Sequence, residues 1–160
     1  MKRLVVMRHA KSDWDAGASS DHERPLNERG RREAPLVAAE IAARGFAPAL
    51  VVSSDSKRTT ETFEQAKAHW PGAAVRFTRA LYHAGIAEVR EALAAVPADV
   101  ETVLVLGHNP GWESMVSQLS ATHVELKTSH AAVLESDEAT FSEAIAPGKT
   151  MRLVTIITAG

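Results

Sequence analysis

The chain of 160 residues has no cysteine, no basic excess, no glycine-rich nucleotide loop and no long apolar run. The missing cysteine removes disulfides, thiolate metal sites and cysteine nucleophiles together, and is compatible with a reducing cytosol. The formal charge of −2, with a sequence pI near 6.4, gives no global attraction to nucleic acid or to an anionic membrane surface. Any anion must therefore be bound by local groups. No stretch approaches the roughly 18 apolar residues that a membrane helix needs. Lys2 and Arg3 precede an apolar run, but Leu4 to Met7 is too short for a signal-peptide core and Arg8 ends it. The expectation is a single cytoplasmic domain over residues 1–160, monomeric, with no nucleic-acid or membrane partner.

Against these absences stands a regular alternation of strand-length apolar runs and segments of helical period, without repeats or low-complexity tracts. Strands are expected at Leu4–Met7, Ala49–Ser54, "AVRFT" and Thr102–Gly107. Between them lie helices with Ala34, Val37, Ala38, Ile41 and Ala42 on one face, then Thr59, Phe63, Ala66 and Trp70, then Ile86, Val89 and Leu93. Asn27 is the expected cap of the first helix, Asp55 or Ser56 of the second. Pro35 should kink the first helix or delay its start. A further helix follows "NPG", with Pro110 in its first turn and Trp112, Met115, Val116 and Leu119 inward. "HAAVLES" and "MRLVTIIT" read as successive strands with no obvious helix between them. The fold class is α/β, a three-layer α/β/α sandwich whose mostly parallel sheet has an antiparallel edge near the C-terminus.

Ligands of open parallel sheets bind beyond the carboxyl ends of the strands. The first strand ends in Arg8 and His9, the second leads to Arg58 on the first turn of a helix, and the fourth ends in Gly107, His108 and Asn109. Two guanidiniums, two imidazoles and helix N-termini converging on one crevice complement a phosphate. With no cysteine and no Walker sequence, imidazole is the best nucleophile, so His9 or His108 would attack phosphorus to give an N-phosphohistidine. Neighbouring guanidiniums would keep that imidazole neutral. His22, His69, His123 and His130 are expected to be solvated or structural, while His83 stands at even odds of reaching the crevice. A metal held by His9, His83 and His108 is disfavoured, because no carboxylate cluster supports it and two arginines would repel a cation.

"MRHAKSDW", "ERPLNERGRREA", "VVSSDSKRTTET" and "VLVLGHNPG", in that order, resemble the histidine phosphatase superfamily (phosphoglycerate mutase-like), and within it the small SixA-like phosphohistidine phosphatases. The resemblance implies a fold without a cap insertion, no metal or organic cofactor, His9 as the phosphorylated nucleophile, and Arg8, Arg58 and His108 completing the pocket. Ser12 and Asn109 are expected to touch the substrate. Two departures from the pattern matter. Ala10 stands where the superfamily usually has glycine, which is tolerable if its φ is negative. "LYHAG" lacks the carboxylate that many relatives use to protonate an alkoxide, so a phosphorylated histidine on another protein is the favoured substrate. Asp13, Asp15, Glu23 or His83 could supply the proton instead. A small-molecule phosphomonoesterase and a non-catalytic phosphate-binding module remain the alternatives.

Overall fold

A computed structural model describes residues 1–160. Its strands are β1 (Lys2–Arg8), β2 (Leu50–Ser54), β3 (Ala74–Thr78), β4 (Thr102–Gly107), β5 (Ala131–Ser136) and β6 (Arg152–Ile157), joined in one sheet of order β3-β2-β4-β1-β5-β6. The first four strands run parallel, as helical crossovers require, whereas β5 pairs antiparallel with both β1 and β6. The antiparallel C-terminal edge is thus present. A one-turn helix, α5 (Phe141–Ala144), interrupts the expected direct passage from β5 to β6. Thr140 caps it and Phe141 is buried beneath it, a single apolar anchor too short to show a helical period.

Alternation along the strands separates two cores. Leu4, Val6, Val103 and Val105 face α3 (Ile86–Leu93), α4 (Gly111–Ser120) and α5, packing on Val89, Leu93, Trp112 and Met115. Val5, Met7, Leu104 and Leu106 face α1 (Glu28–Ala43) and α2 (Lys57–Ala66), packing on Val37, Ile41, Phe63 and Trp70. Because β1 and β4 are covered on both faces, they read as continuous apolar runs; β3, at the edge, is mostly exposed. The layers are the expected α/β/α sandwich. No helix is long and apolar enough to cross a membrane.

Asn27 caps α1 by accepting from Gly30 N–H, and Ser56 caps α2 by accepting from Thr59 N–H. The first helix starts at Glu28, directly after its cap, and continues through Pro35, so the expected late start is not found. Proline at this point removes one backbone bond, and the burial of Ala34, Val37, Ala38 and Ile41 on either side of it outweighs that loss.

Candidate active site

Backbone bonds on both sides fix the end of β1. His9 N–H donates to the Gly107 carbonyl at 3.0 Å, Ser129 N–H donates to the His9 carbonyl at 3.0 Å, and Arg8 N–H donates to His130. Ala10 then turns away with negative φ, so the alanine carries no strain. Its N–H donates to Thr62 Oγ1 at 3.0 Å, which ties the start of the following loop to α2.

The His9 ring is buried, and its Nδ1–H donates to the Ala10 carbonyl at 2.7 Å. That bond fixes the tautomer and leaves the lone pair on Nε2. Burial pushes the ring pKa down to about 3; the Ala10 bond opposes the shift, while Arg58, Arg8 and Arg24 reinforce it. His108, at the end of β4, has its ring centroid 5.3 Å from that of His9. Its Nε2–H donates to Ser54 Oγ at 2.9 Å, and Nδ1 accepts from Arg58 Nη2 at 3.2 Å. Burial first, then His9, Arg58 and His83, lowers its pKa to about 2. Both imidazoles are therefore neutral at physiological pH.

Arg58 is only 2 % exposed. Its Nη1 donates to the Asp21 carbonyl at 2.8 Å and its Nη2 to Asp21 Oδ2 at 3.0 Å. Arg8 reaches the same cavity and donates to the Leu126 carbonyl at 3.1 Å. A third guanidinium, Arg24, joins them from the loop between β1 and α1. It is 7 % exposed, bonds Ser12 Oγ and Asp21 Oδ1, and lies 3.6 Å from the Trp14 ring centroid. The Nε–H groups of Arg8, Arg24 and Arg58 are all buried without an acceptor. These unmatched donors carry a desolvation cost, and the three residues line one cavity of about 220 Å³ whose concentrated cationic charge suits an oxyanion.

Of the residues expected from sequence, Arg8, His9, Ser12, Arg58, His108, Asn109 and His83 all line this cavity. Asn109 lines it with its amide occupied, donating to the Leu126 carbonyl at 2.8 Å and to Glu113 Oε2 at 3.2 Å. Asp13, Asp15 and Glu23, offered as proton donors, do not line the cavity. Asp13 Oδ1 instead accepts from Asp15 N–H, and Glu23 pairs with His22. The loop that carries them is pinned at its base by the Ser12–Leu26 bridge and by Asp13 N–H to Pro25 O, which leaves Asp21, not these three, over Arg58. His22 is better described as structural than solvated, since its Nε2 bonds Asp55 at 2.7 Å and its carbonyl accepts from Lys57 N–H.

Sequence reasoning missed Asp21 and Arg24. Arg24 stands in "DHERPL" and within the "ERPLNERGRREA" block that carries the family resemblance, and the apolar Pro25-Leu26 pair that follows is a further signal of its burial. Asp21 also accepts from the Tyr82 hydroxyl and from His83 Nε2 at 3.1 Å. Burial alone would raise its carboxyl pKa, but Tyr82, Arg58 and His83 outweigh it and hold the group well below the usual carboxylate range. No set of three or more histidine or carboxylate side chains is arranged to hold a metal ion.

Two strand ends, the first turn of α2 and the loop after β1 bring three guanidiniums and two neutral imidazoles to one cavity, which defines an anion site beside an unprotonated ring nitrogen. The sequence profile of the histidine phosphatase superfamily (branch 1) matches residues 4–101. An uncharacterised chloroplast protein of Arabidopsis thaliana is 36% identical over 155 residues, covering 91% of this chain and 71% of its own length. The SixA of Agrobacterium tumefaciens, described as a candidate phosphohistidine phosphatase, superposes with a TM-score of 0.81 at 28% identity over 99% of both chains. The protein histidine phosphatase SixA complexed with tungstate shares the fold at a TM-score of 0.82 and 22% identity, over 98% of this chain and 97% of that one. The chain belongs to the histidine phosphatase superfamily, on its SixA-like side, and that membership indicates phosphatase-type hydrolase chemistry.

Proposed function

We propose that the protein is a phosphatase working through a covalent phosphohistidine at His9, with phosphohistidine on another protein as its main substrate. The observation that carries this reading is the state of His9: neutral, with Nε2 free and its ring held by the Ala10 carbonyl, among three buried guanidiniums. Nε2 attacks phosphorus as the P–N bond to the substrate imidazole breaks. Arg8, Arg24 and Arg58 carry the charge on the equatorial oxygens, and water then cleaves phospho-His9.

Two features support a protein substrate. Residues 79–101 between β3 and β4 form a 3-10 turn, α3 and short connections, which supports an open site. At the rim, Trp14 is 74% exposed against Arg24 and offers a flat apolar face to an incoming chain. Two proteins that bear the name SixA and share this fold, one described as a candidate phosphohistidine phosphatase and one as a protein histidine phosphatase, support the same substrate class. The decisive experiment is phosphoryl trapping. Label from a phosphohistidine protein should appear acid-labile on the wild type and be lost in His9→Ala; full turnover by His9→Ala would overturn the reading.

A further inference from the structure

The three guanidiniums of the cavity are not held alike. Arg58 has two bonds to Asp21, and Arg24 has Ser12 and Asp21, whereas the only acceptor the chain offers the Arg8 side chain is a peptide oxygen, that of Leu126 at 3.1 Å. Leu126 lies on the segment between α4 and β5 and is itself held from α4. Its carbonyl also accepts from Asn109 Nδ2 at 2.8 Å, and its N–H donates to Glu113 Oε2 at 2.8 Å. The second proton of the Asn109 amide goes to the same Glu113 oxygen at 3.2 Å, and Glu113 N–H closes the ring on Asn109 Oδ1 at 3.3 Å. Glu113 thus grips Leu126 at both ends, directly at its N–H and through Asn109 at its carbonyl. Asn109, expected from sequence to touch substrate, has both amide protons and its amide oxygen engaged in this ring. Glu113 stands on the first turn of α4 and does not line the cavity. Its charge is complementary all the same: burial works against the Arg8 cation, Glu113 works for it, and Arg58 works against it.

From this chain of contacts we propose that Glu113 is a positioning residue for oxyanion binding, holding the Leu126 peptide, and through it the Arg8 guanidinium, at the wall of the cavity. The inference rests on the cavity being the phosphoryl site. A guanidinium tied at one point keeps its aim only if that point is fixed, and a donor displaced by about an ångström loses much of its effect on the bound group. Arg58 and Arg24 have carboxylate anchors of their own; for Arg8 the carboxylate acts one peptide away.

The alternative is that Glu113 only braces the segment as a whole. Ser129 N–H of that segment holds the His9 carbonyl and Thr128 lines the cavity, so a loosened segment would weaken binding whether or not Arg8 is present. A double-mutant cycle separates the two. The probe is tungstate, a tetrahedral oxyanion, and calorimetry reads its Kd without requiring turnover. Glu113→Ala should raise the Kd about tenfold with Arg8 in place and hardly at all in an Arg8→Ala background. The proposal stands if the two increases differ by more than about threefold and falls if they do not. Should Glu113→Ala fail to fold, Asn109→Ala, which cuts the link to the Leu126 carbonyl, decides by the same cycle and the same threshold. Absence of tungstate binding by the wild type would instead overturn the reading of the cavity as a phosphoryl site, and this inference with it.

Discussion

The two halves of the cavity are built differently. Arg8, His9 and His108 stand at the ends of β1 and β4, whose backbones are paired on both sides, whereas Asp21, Arg24 and His83 come from two segments outside the strands and α-helices, residues 10–27 and 79–85. Arg58, on the first turn of α2, is where the halves meet, through Asp21 on one side and His108 on the other. The strand-end half holds its groups dry and at fixed depth, which suits a nucleophile. The loop-borne half holds groups that are partly exposed, Asp21 and His83, which suits proton traffic and contact with substrate. This contrast is sharpest in a comparison of the cations. Arg58→Ala should lower kcat/KM by about a hundred- to a thousand-fold, the loss typical of one oxyanion donor, and should also strand Asp21. Arg24→Ala should cost about ten- to a hundred-fold, as for one charged hydrogen bond. Steady-state kinetics with p-nitrophenyl phosphate read both; equal losses would show that the loop-borne cation contributes as much to the transition state as the one on α2 where the halves meet.

The loop-borne half is located by close backbone approach instead of by a ladder. A Cβ on Gly111 would lie 1.8 Å from the Ala84 carbonyl oxygen, and one on Gly30 would lie 2.1 Å from that of Lys11. Gly111 thereby sets α4 against the segment that presents His83, and Gly30 sets α1 against the start of the loop that presents Arg24. Since backbone atoms would have to move, Gly111→Ala should destabilise by about 3 kcal/mol. For a chain of this size that means a fall in Tm of roughly 6–12 °C. Thermal unfolding followed by circular dichroism measures it, and a Tm within about 2 °C of wild type would show that the segment carrying His83 can shift freely.

The same difference decides what could be read from the sequence. Leu4 to Met7 and Val103 to Leu106 are uninterrupted because both faces of the sheet are covered, so the strand ends, and with them Arg8, His9 and His108, follow from apolar runs alone. The family motifs carry Arg58, whose burial inverts the usual expectation for an arginine on a helix's first turn. Asp21 and Arg24 sit in a polar loop with no period, and their partners Arg58, Tyr82 and Ser12 are brought near only by the folded loop. No local pattern encodes such contacts. For the same reason the proton donors offered from sequence, Asp13, Asp15 and Glu23, were carboxylates of the correct loop at the wrong positions. The loop is anchored by Ser12–Leu26 pairing, and that register places Asp21 over Arg58.

If the strand-end imidazoles are dry, they also leave a signature in the pH dependence of stability. The folded-state pKa values of His9 and His108 are depressed to about 3 and about 2 from the ordinary histidine value of 6.5. Between pH 6.5 and those values the unfolded chain binds protons that the folded chain excludes, so stability is full above pH 6.5 and falls as the solution is acidified. Each ring should contribute a slope of roughly 1 kcal/mol per pH unit below pH 6. Asp21 works in a lower window, since its carboxyl has an ordinary value of 3.8 and is depressed from there, so titrations kept above pH 4.5 isolate the histidines. Urea unfolding of the wild type, His9→Asn and His108→Asn across pH 7.5 to 4.5 should show the slope clearly reduced in each variant, the remainder coming from the other ring and from His130, which burial also shifts down. An unchanged slope in both would mean that water reaches the two rings as readily as it reaches the loop-borne half.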